Sequence, residues 1–350
     1  MRTSLISTVT LNSSPRTNLA LMQKRLADAN KEVATGRHAD VGLTLGDRAG
    51  RTVSLRREMG SLSAMIISNG LAKARLDQTQ SALAGLNALG ETFQQAVISL
   101  PSTALSVDVL KRQAQDGLET LTSTLNATDG RSYLFAGINT SVRPMAAYGD
   151  APKAAVDAAL VAKFGLSAAG PQDDVSGLAA ITPADMADFL DTEFSALFDS
   201  ASWTSTWSTA SDQPQRSRIS PTETVDTSAS ANNGALRNLA KALTMIADIG
   251  IAHLSEETRA VVVARARDTV NGALSEMVSD RAILGVSQQR LDVANTRMQT
   301  TRDVVEQRIS AFETVDPVAA KVEIDQLSTQ IEMSYSLTAN ILRLSIMNYA

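Results

Sequence analysis

Apolar residues recur along this chain at two intervals, and the interval changes with position. Leu19, Met22, Leu26, Ala29 and Val33 stand three and four apart, the spacing that puts side chains on one face of a helix. Ser14-Pro15 ahead of them is the cap-and-first-turn pair favoured at helix starts. Gly36 behind them is a stop, so the spacing predicts a helix over 14–36. Residues 36–50 carry no period. From about Arg51 a seven-residue series runs through Leu55, Leu62, Asn69, Leu76, Leu83, Gly90 and Val97. Met65, Ala72, Thr79, Leu86, Phe93 and Leu100 follow its members by three. The series predicts one rod-like helix of roughly 70 Å, stopped by Pro101. A shorter helix is expected over 107–126, closed by Asp129-Gly130.

The C-terminal half repeats the design more cleanly. Val263, Val270, Met277, Leu284, Leu291, Met298, Val305 and Phe312 lie seven apart. Their companions Ala266, Ala273, Asp280, Ser287, Ala294, Thr301 and Arg308 are mostly small or polar. A two-stranded zipper needs larger side chains there, whereas small ones let helices approach closely inside a bundle. The expected helix covers 254–312, about 90 Å, with Gly272 and Gly285 as weak points. Asp316-Pro317 restarts a helix by cap-plus-proline chemistry. Its seam is Ile324, Leu327, Ile331, Ser334, Thr338, Ile341 and Ser345, and Met333, Leu337, Leu344 and Met347 lie largely off that seam. Apolar groups on more than one side of a helix are not satisfied by a single partner helix.

Between the halves the pattern changes in kind. Residues 153–164 and 183–198 read as short helices separated by Gly-, Pro- and Asp-rich turns. Beyond Asp199 the chain is rich in Ser and Thr, and Trp203 and Trp207 alternate with polar neighbours as a strand would. Arg216, Arg218 and Ile219 suggest a second strand and residues 222–227 a third. The expected fold is mainly α: a long antiparallel helical bundle formed by the N- and C-terminal halves, interrupted by a small α+β or β-rich outer domain. Its expected divisions are 1–42 plus 313–350 as a terminal coiled-coil assembly region, 43–140 plus 234–312 as a helical rod, and 141–233 as the insert. The expected rod core is Leu55, Leu62, Leu76, Leu83 and Val97 on the first long helix. On the second it is Val263, Val270, Met277, Leu284, Leu291, Met298, Val305 and Phe312.

Composition removes chemistry from this picture. With no cysteine there is no disulfide, thiolate nucleophile or Cys-based metal site. His38 and His253 cannot supply a three-histidine site. Asp173-Asp174 sits in a Pro/Gly turn and reads as solvated. Residues 165–170 lack the G-x-S-x-G spacing, and no P-loop or dinucleotide loop is present. No catalytic, cofactor-binding or metal-ligating residue is expected, and no cofactor. A net charge of −5 without a basic block speaks against nucleic acid as a partner. Apolar runs fall far short of the ~18 to 20 residues that span a membrane, and the first twenty residues lack a signal-peptide core. What remains is the pair of terminal seams. Chain ends are where order usually fades, yet both ends here carry apolar faces behind strong caps. The simplest reading is that they pair with each other and with copies from neighbouring molecules.

Three segments carry a resemblance: residues 19–36 (LALMQKRLADANKEVATG), 130–137 (GRSYLFAG) and 324–349 (IDQLSTQIEMSYSLTANILRLSIMNY). The chain resembles the bacterial flagellin superfamily, most closely its hook-associated protein 3 group at the hook–filament junction. Flagellin, the filament subunit, is the alternative, and a soluble coiled-coil adapter a further one. Where flagellin-like chains tend to place an acidic pair and a proline after the first segment, this chain has DVGLTLGD at 40–47. The resemblance implies a structural, non-enzymatic component that joins the hook-associated ring to the filament. It implies an extracellular protein, exported unfolded through the flagellar type III apparatus without a cleaved signal peptide and without membrane insertion. The implied partners are copies of itself in a ring, another hook-associated protein, flagellin, and a cytoplasmic export chaperone on the C-terminal tail. The seams expected to carry assembly are Leu19, Met22, Leu26 and Val33, with Ile324, Leu327, Ile331, Ile341 and Leu344.

Overall fold

The computed structural model describes residues 8–99 and 104–347, with side chains over 16–99 and 106–340; Leu100 and Pro101 lie outside them. α1 (Thr8–Thr35), α2 (Val41–Leu45), α3 (Ala49–Ile98) and α4 (Ala104–Leu125) form the N-terminal half. α5 (Ala151–Phe164), α6 (Val175–Ala179), α7 (Pro183–Asp191), α8 (Glu193–Ala196) and α9 (Ser200–Thr206) follow. An antiparallel hairpin of β1 (Arg216–Ser220) and β2 (Glu223–Asp226) then leads to α10 (Gly234–Ala247), α11 (Glu256–Glu313) and α12 (Pro317–Met347). The fold is mainly helical, with long N- and C-terminal helices packed together and one small hairpin in the insert, as the hydrophobic pattern implies. Two compact units result, residues 65–297 and residues 1–64 with 298–350, and both long helices contribute to both units.

In the unit of residues 65–297, α3 and α11 run antiparallel, which their cross-helix hydrogen bonds document. Lys73 Nζ reaches Asp292 at 2.7 Å, Gln288 Nε2 reaches Asp77 at 2.7 Å, and Gln80 Nε2 reaches the Arg281 carbonyl at 2.7 Å. Leu76, Leu83, Val97, Val270, Met277, Leu284 and Leu291 are buried between these and neighbouring helices, as are the small companions Ala266, Ala273 and Ala294. Val263 is half-buried, and Val262 beside it is the fully buried residue. The cause is geometric: a straight helix drifts about 20° per seven residues, so four repeats upstream of Leu291 the inward direction has moved onto the preceding position. Asn69, at a core position of the α3 series, is 1% exposed. Its Nδ2 donates to Asn295 Oδ1 (2.9 Å) and to the Ile219 carbonyl (2.8 Å), which ties the hairpin to the helix pair.

The insert differs from its sequence reading at two points, the first being that the helix expected over 183–198 breaks at Thr192 into α7 and α8. Trp203 and Trp207 do not alternate on a strand; Trp203 lies in α9 and Trp207 caps it, the rings stacked 4.8 Å apart and both buried. A spacing of four places two side chains on one face of either a strand or a helix, so the tryptophans alone could not decide the period. The other two strands stand where expected. α10, which the pattern did not single out, packs on α4 and buries Leu236, Leu239, Leu243 and Ile246. The GRSYLFAG segment laces the insert to α4: the Phe135 carbonyl accepts from Ala231 N (2.8 Å) and the Ala136 carbonyl from Ser211 N (3.1 Å). Gly137 sits at φ +61° against the Ser211 backbone, where a Cβ would collide, so glycine alone fits that turn.

Candidate assembly surface

In the unit of residues 1–64 with 298–350, α1 and α12 pack side by side. α1 begins at Thr8, so Ser14-Pro15 lies inside it rather than at its start. A proline forfeits one intrahelical bond and kinks a helix without having to begin one, and the same dipeptide serves as cap or kink. Between Gly36 and Gly50, Asp40 caps the short α2 by accepting from Leu43 N at 2.9 Å. α12 starts as expected: Asp316 Oδ1 accepts from Val318 N at 2.8 Å and Pro317 occupies the first turn.

The seam between the two helices is thin. Ala29, Ala320, Leu327 and Ile331 are buried, while Leu19, Met22, Leu26 and Ile324 are only half-buried. Val33 is exposed (41%). In that last turn of α1 the covered position belongs to Glu32, whose Oε1 accepts from Ala39 N at 2.9 Å and faces His38 Nδ1 at 3.5 Å. Gln23 Nε2 bonds the Tyr335 hydroxyl across the pair at 2.9 Å. Ile341 and Leu344 fall on α12 outside the residues whose side chains are described. On the face of α12 turned away from the seam, Val318, Val322, Met333 and Leu337 are half to two-thirds exposed. They lie within about a third of the helix circumference at 100° per residue, forming an apolar ladder that the exposed Gln326 and Thr329 interrupt between Val322 and Met333, with nothing upon it among the described residues.

Where α1 ends and α12 begins, the two connections are stitched together. His38 N donates to the Glu313 carbonyl (3.0 Å) and Val315 N to that of Gly36 (3.1 Å). Glu313 is 1% exposed, and Arg56 grips its carboxylate with both Nε (2.9 Å) and an Nη (2.5 Å); Arg37 stands 3.8 Å away. Such a two-pronged pair fixes direction as well as charge. The Glu313 hydrogen bonds and negative charge raise the Arg56 guanidinium above its ordinary value. The sequence pattern pointed to Phe312, which is half-buried, and missed Glu313 and Ile309, which are buried. The same drift of the seven-residue series explains the shift, since three repeats past Leu291 the inward positions have moved off Phe312. Met298 and Val305 are buried in this unit, and Leu55 and Leu62 half-buried.

Among the described residues, no group of three or more His, Cys, Asp or Glu side chains is placed to hold a metal ion. No described helix is long and apolar enough to cross a membrane. The arrangement is one of helical faces, a buried glutamate held by half-exposed arginines at a junction, and an uncovered apolar ladder, which is chemistry suited to protein–protein contact.

Comparison with known families agrees with that character. The model of the bacterial flagellin N-terminal helical region matches residues 6–140, and that of the bacterial flagellin C-terminal helical region matches residues 268–350. Together they take in more than half of the chain and leave out the insert. A search of curated proteins returns no match. Among solved structures, a candidate flagellar hook-associated protein from Vibrio parahaemolyticus is similar, with a TM-score of 0.51 at 10% identity, over 76% of this chain and 97% of that one. At this identity the likeness is one of fold. With both helical ends matched in their proper order and packed as one pair, the chain belongs to the bacterial flagellin superfamily and is a structural protein of the flagellum.

Proposed function

We propose that this protein is a subunit of the flagellar filament, built into the polymer through α1 and α12. The observation that carries the reading is the uncovered, interrupted ladder of Val318, Val322, Met333 and Leu337, opposite a seam that leaves Leu19, Met22, Leu26 and Ile324 only half-buried. Copies of the chain would cover that ladder, and the ordering of the terminal helices would be offset by burial in the assembly. In this proposal residues 1–42 and 313–350 assemble, 43–140 and 234–312 form the shaft, and 141–233 project outward. Export through the flagellar type III route, with a cytoplasmic chaperone on the α12 tail, accompanies it. The two flagellin matches support the filament over other positions in the flagellum.

A second reading, a junction protein between the hook-associated ring and the filament, is favoured by the tail at 324–349 and by the hook-associated likeness in fold. Immunogold labelling of intact flagella separates the two. Label along the whole filament is the expected result. A single band next to the hook overturns the filament reading in favour of the junction, and label absent from isolated flagella overturns both.

A further inference from the structure

A cleft of about 420 Å³ opens in the unit of residues 65–297, between the hairpin, the start of α10 and the middle of α11. Its walls hold Asp212, Asp226 and Asp280, and no Lys or Arg is among its described lining residues. Asp226 already meets Arg216 Nε at 3.3 Å, at the exposed rim. Asp212 and Asp280 have neutral partners instead: Asn232 Nδ2 donates to Asp212 at 2.7 Å, and the Asn233 side chain bonds Asp280. Burial pushes the Asp280 carboxyl up, and Glu276 adds to the effect.

Asn232 supplies an independent sign of a missing donor. It is 8% exposed, lines the cleft, and its Oδ1 has no partner among the described residues. Its amide cannot be turned round, because Nδ2 is engaged by two acceptors, Asp212 and the Ala210 carbonyl (2.9 Å). A buried acceptor without a donor is costly, and two carboxylates without a facing cation beside it add to the same demand.

The shape narrows the occupant. The carboxylates are not grouped as metal ligands would be. The floor is apolar, made of Leu236, Met277 and Leu284, which suits the methylene stem of a long basic side chain whose charged head reaches the acids. The guanidinium of arginine carries five donors in a planar fork matched to carboxylates. Ile283 at the rim is about two-thirds exposed, and an apolar side chain beside the cleft suits a protein face better than a small molecule. We propose that this cleft receives an arginine side chain from a second copy of the chain. The assignment of a polymer role above is what this rests on.

Because the chain has no cysteine, Ile283→Cys gives one attachment point for a benzophenone label at the rim. Flagella sheared from cells carrying this variant would be illuminated, and the cross-linked peptides identified by mass spectrometry. The expected product joins Ile283→Cys to an arginine-bearing peptide of the same chain, and Asp212→Asn with Asp280→Asn removes that product from flagella that still form. Flagella that contain the protein but give no such cross-link, or one to another protein, overturn this inference and leave the polymer role standing. Absence of the protein from flagella overturns the polymer role. A second arm on the monomer then decides the cleft alone: agmatine, an arginine head and stem, is titrated while the Met277 methyl resonance is followed. A saturable shift that sodium chloride alone does not produce, weakened at least about tenfold in the double Asn variant as for a charged hydrogen bond, supports a guanidinium site. No shift overturns it.

Discussion

The insert and the terminal helix pair solve the problem of burial in opposite ways. α10, the rod helix that directly follows the insert, has fourteen residues and buries ten of them. Around it, Phe164, Phe189, Phe194, Phe198, Trp203 and Trp207 form a continuous run of ring contacts, with Tyr148 packed on Trp207 at 5.5 Å. α1, twice as long, buries only Ala29 among its described side chains, and α12 buries Ala320, Leu327 and Ile331. The chain is poor in aromatics, yet most of those it has are spent in the insert. One region therefore closes its own core, while the other leaves apolar surface to be covered from outside. That difference is the physical basis of the polymer role proposed above, in which the well-buried region serves as scaffold and the terminal pair as the contact surface.

The strongest way to break the comparison is to truncate one side chain in each region. Trp203→Ala removes a fully enclosed ring stacked on Trp207, and it should cost about 3–5 kcal/mol in a denaturant melt. Ile331→Ala should cost less than the ~2–5 kcal/mol of a fully enclosed isoleucine, because its neighbours on the seam are half-exposed. It should leave the tryptophan-fluorescence transition in place and lower incorporation into flagella. Equal losses of monomer stability from the two changes would show that the terminal pair is as self-sufficient as the insert.

How far the sequence exposes this division depends on the period of each element. The series from Val270 to Met298 is legible because a long helix repeats the same geometry often enough to separate a period of 3.5 from one of two. At its ends, Val263 and Phe312, the accumulated rotation moves burial onto Val262, Ile309 and Glu313. No single-position pattern anticipates that without following the drift. α9 carries too few residues to fix a period, so Trp203 and Trp207 fitted a strand equally well. α10 was legible too, since Leu236, Leu239, Leu243 and Ile246 recur three and four apart with Arg237, Asn238 and Lys241 on the other side, but the pattern reading passed over it. At the assembly surface the α12 cap and seam were legible from Asp316-Pro317 and the 3–4 spacing. The Glu313–Arg56 pair was not, since its partners lie 257 residues apart.

That pair allows a sharper, smaller test of how the terminal helices are held. Glu313→Gln keeps the shape of the side chain and removes its charge. Arg56 is half-exposed, so solvent screens part of the interaction, and the expected loss is about 1–2 kcal/mol, toward the low end of the ~1.5–3 kcal/mol of a charge-assisted hydrogen bond. The loss should be local. Amide exchange should quicken at His38 and Val315, whose N–H groups cross between the two connections, while amides of α10 keep their protection. Quickened exchange throughout α10 would mean that Glu313 supports the whole chain rather than the junction.

The smallest expected effect lies in the loop that opens the insert, and it tests the comparison through pH. Asp129 Oδ1 accepts from Arg131 N (2.9 Å) and Ser132 N (2.8 Å), its other oxygen accepts from Ser132 Oγ, and Arg75 stands 3.5 Å away. Burial pushes this carboxyl up, but the hydrogen bonds and Arg75 together outweigh burial and hold it below its ordinary value. A carboxylate lowered in the folded state contributes stability that is fully present above its unfolded pKa and is lost as pH falls through the folded one. The native chain should therefore lose this contribution below about pH 4. Asp129→Asn, which cannot ionise, should be less stable at neutral pH by up to ~1 kcal/mol and have a shallower acid limb in thermal melts. Parallel acid limbs for the two proteins would remove Asp129 from the acid response. Because Arg75 on α3 also donates to Ser132 Oγ and to the Tyr133 carbonyl at 2.7 Å each, the change should register in the tryptophan-reported core before it registers in α1 or α12.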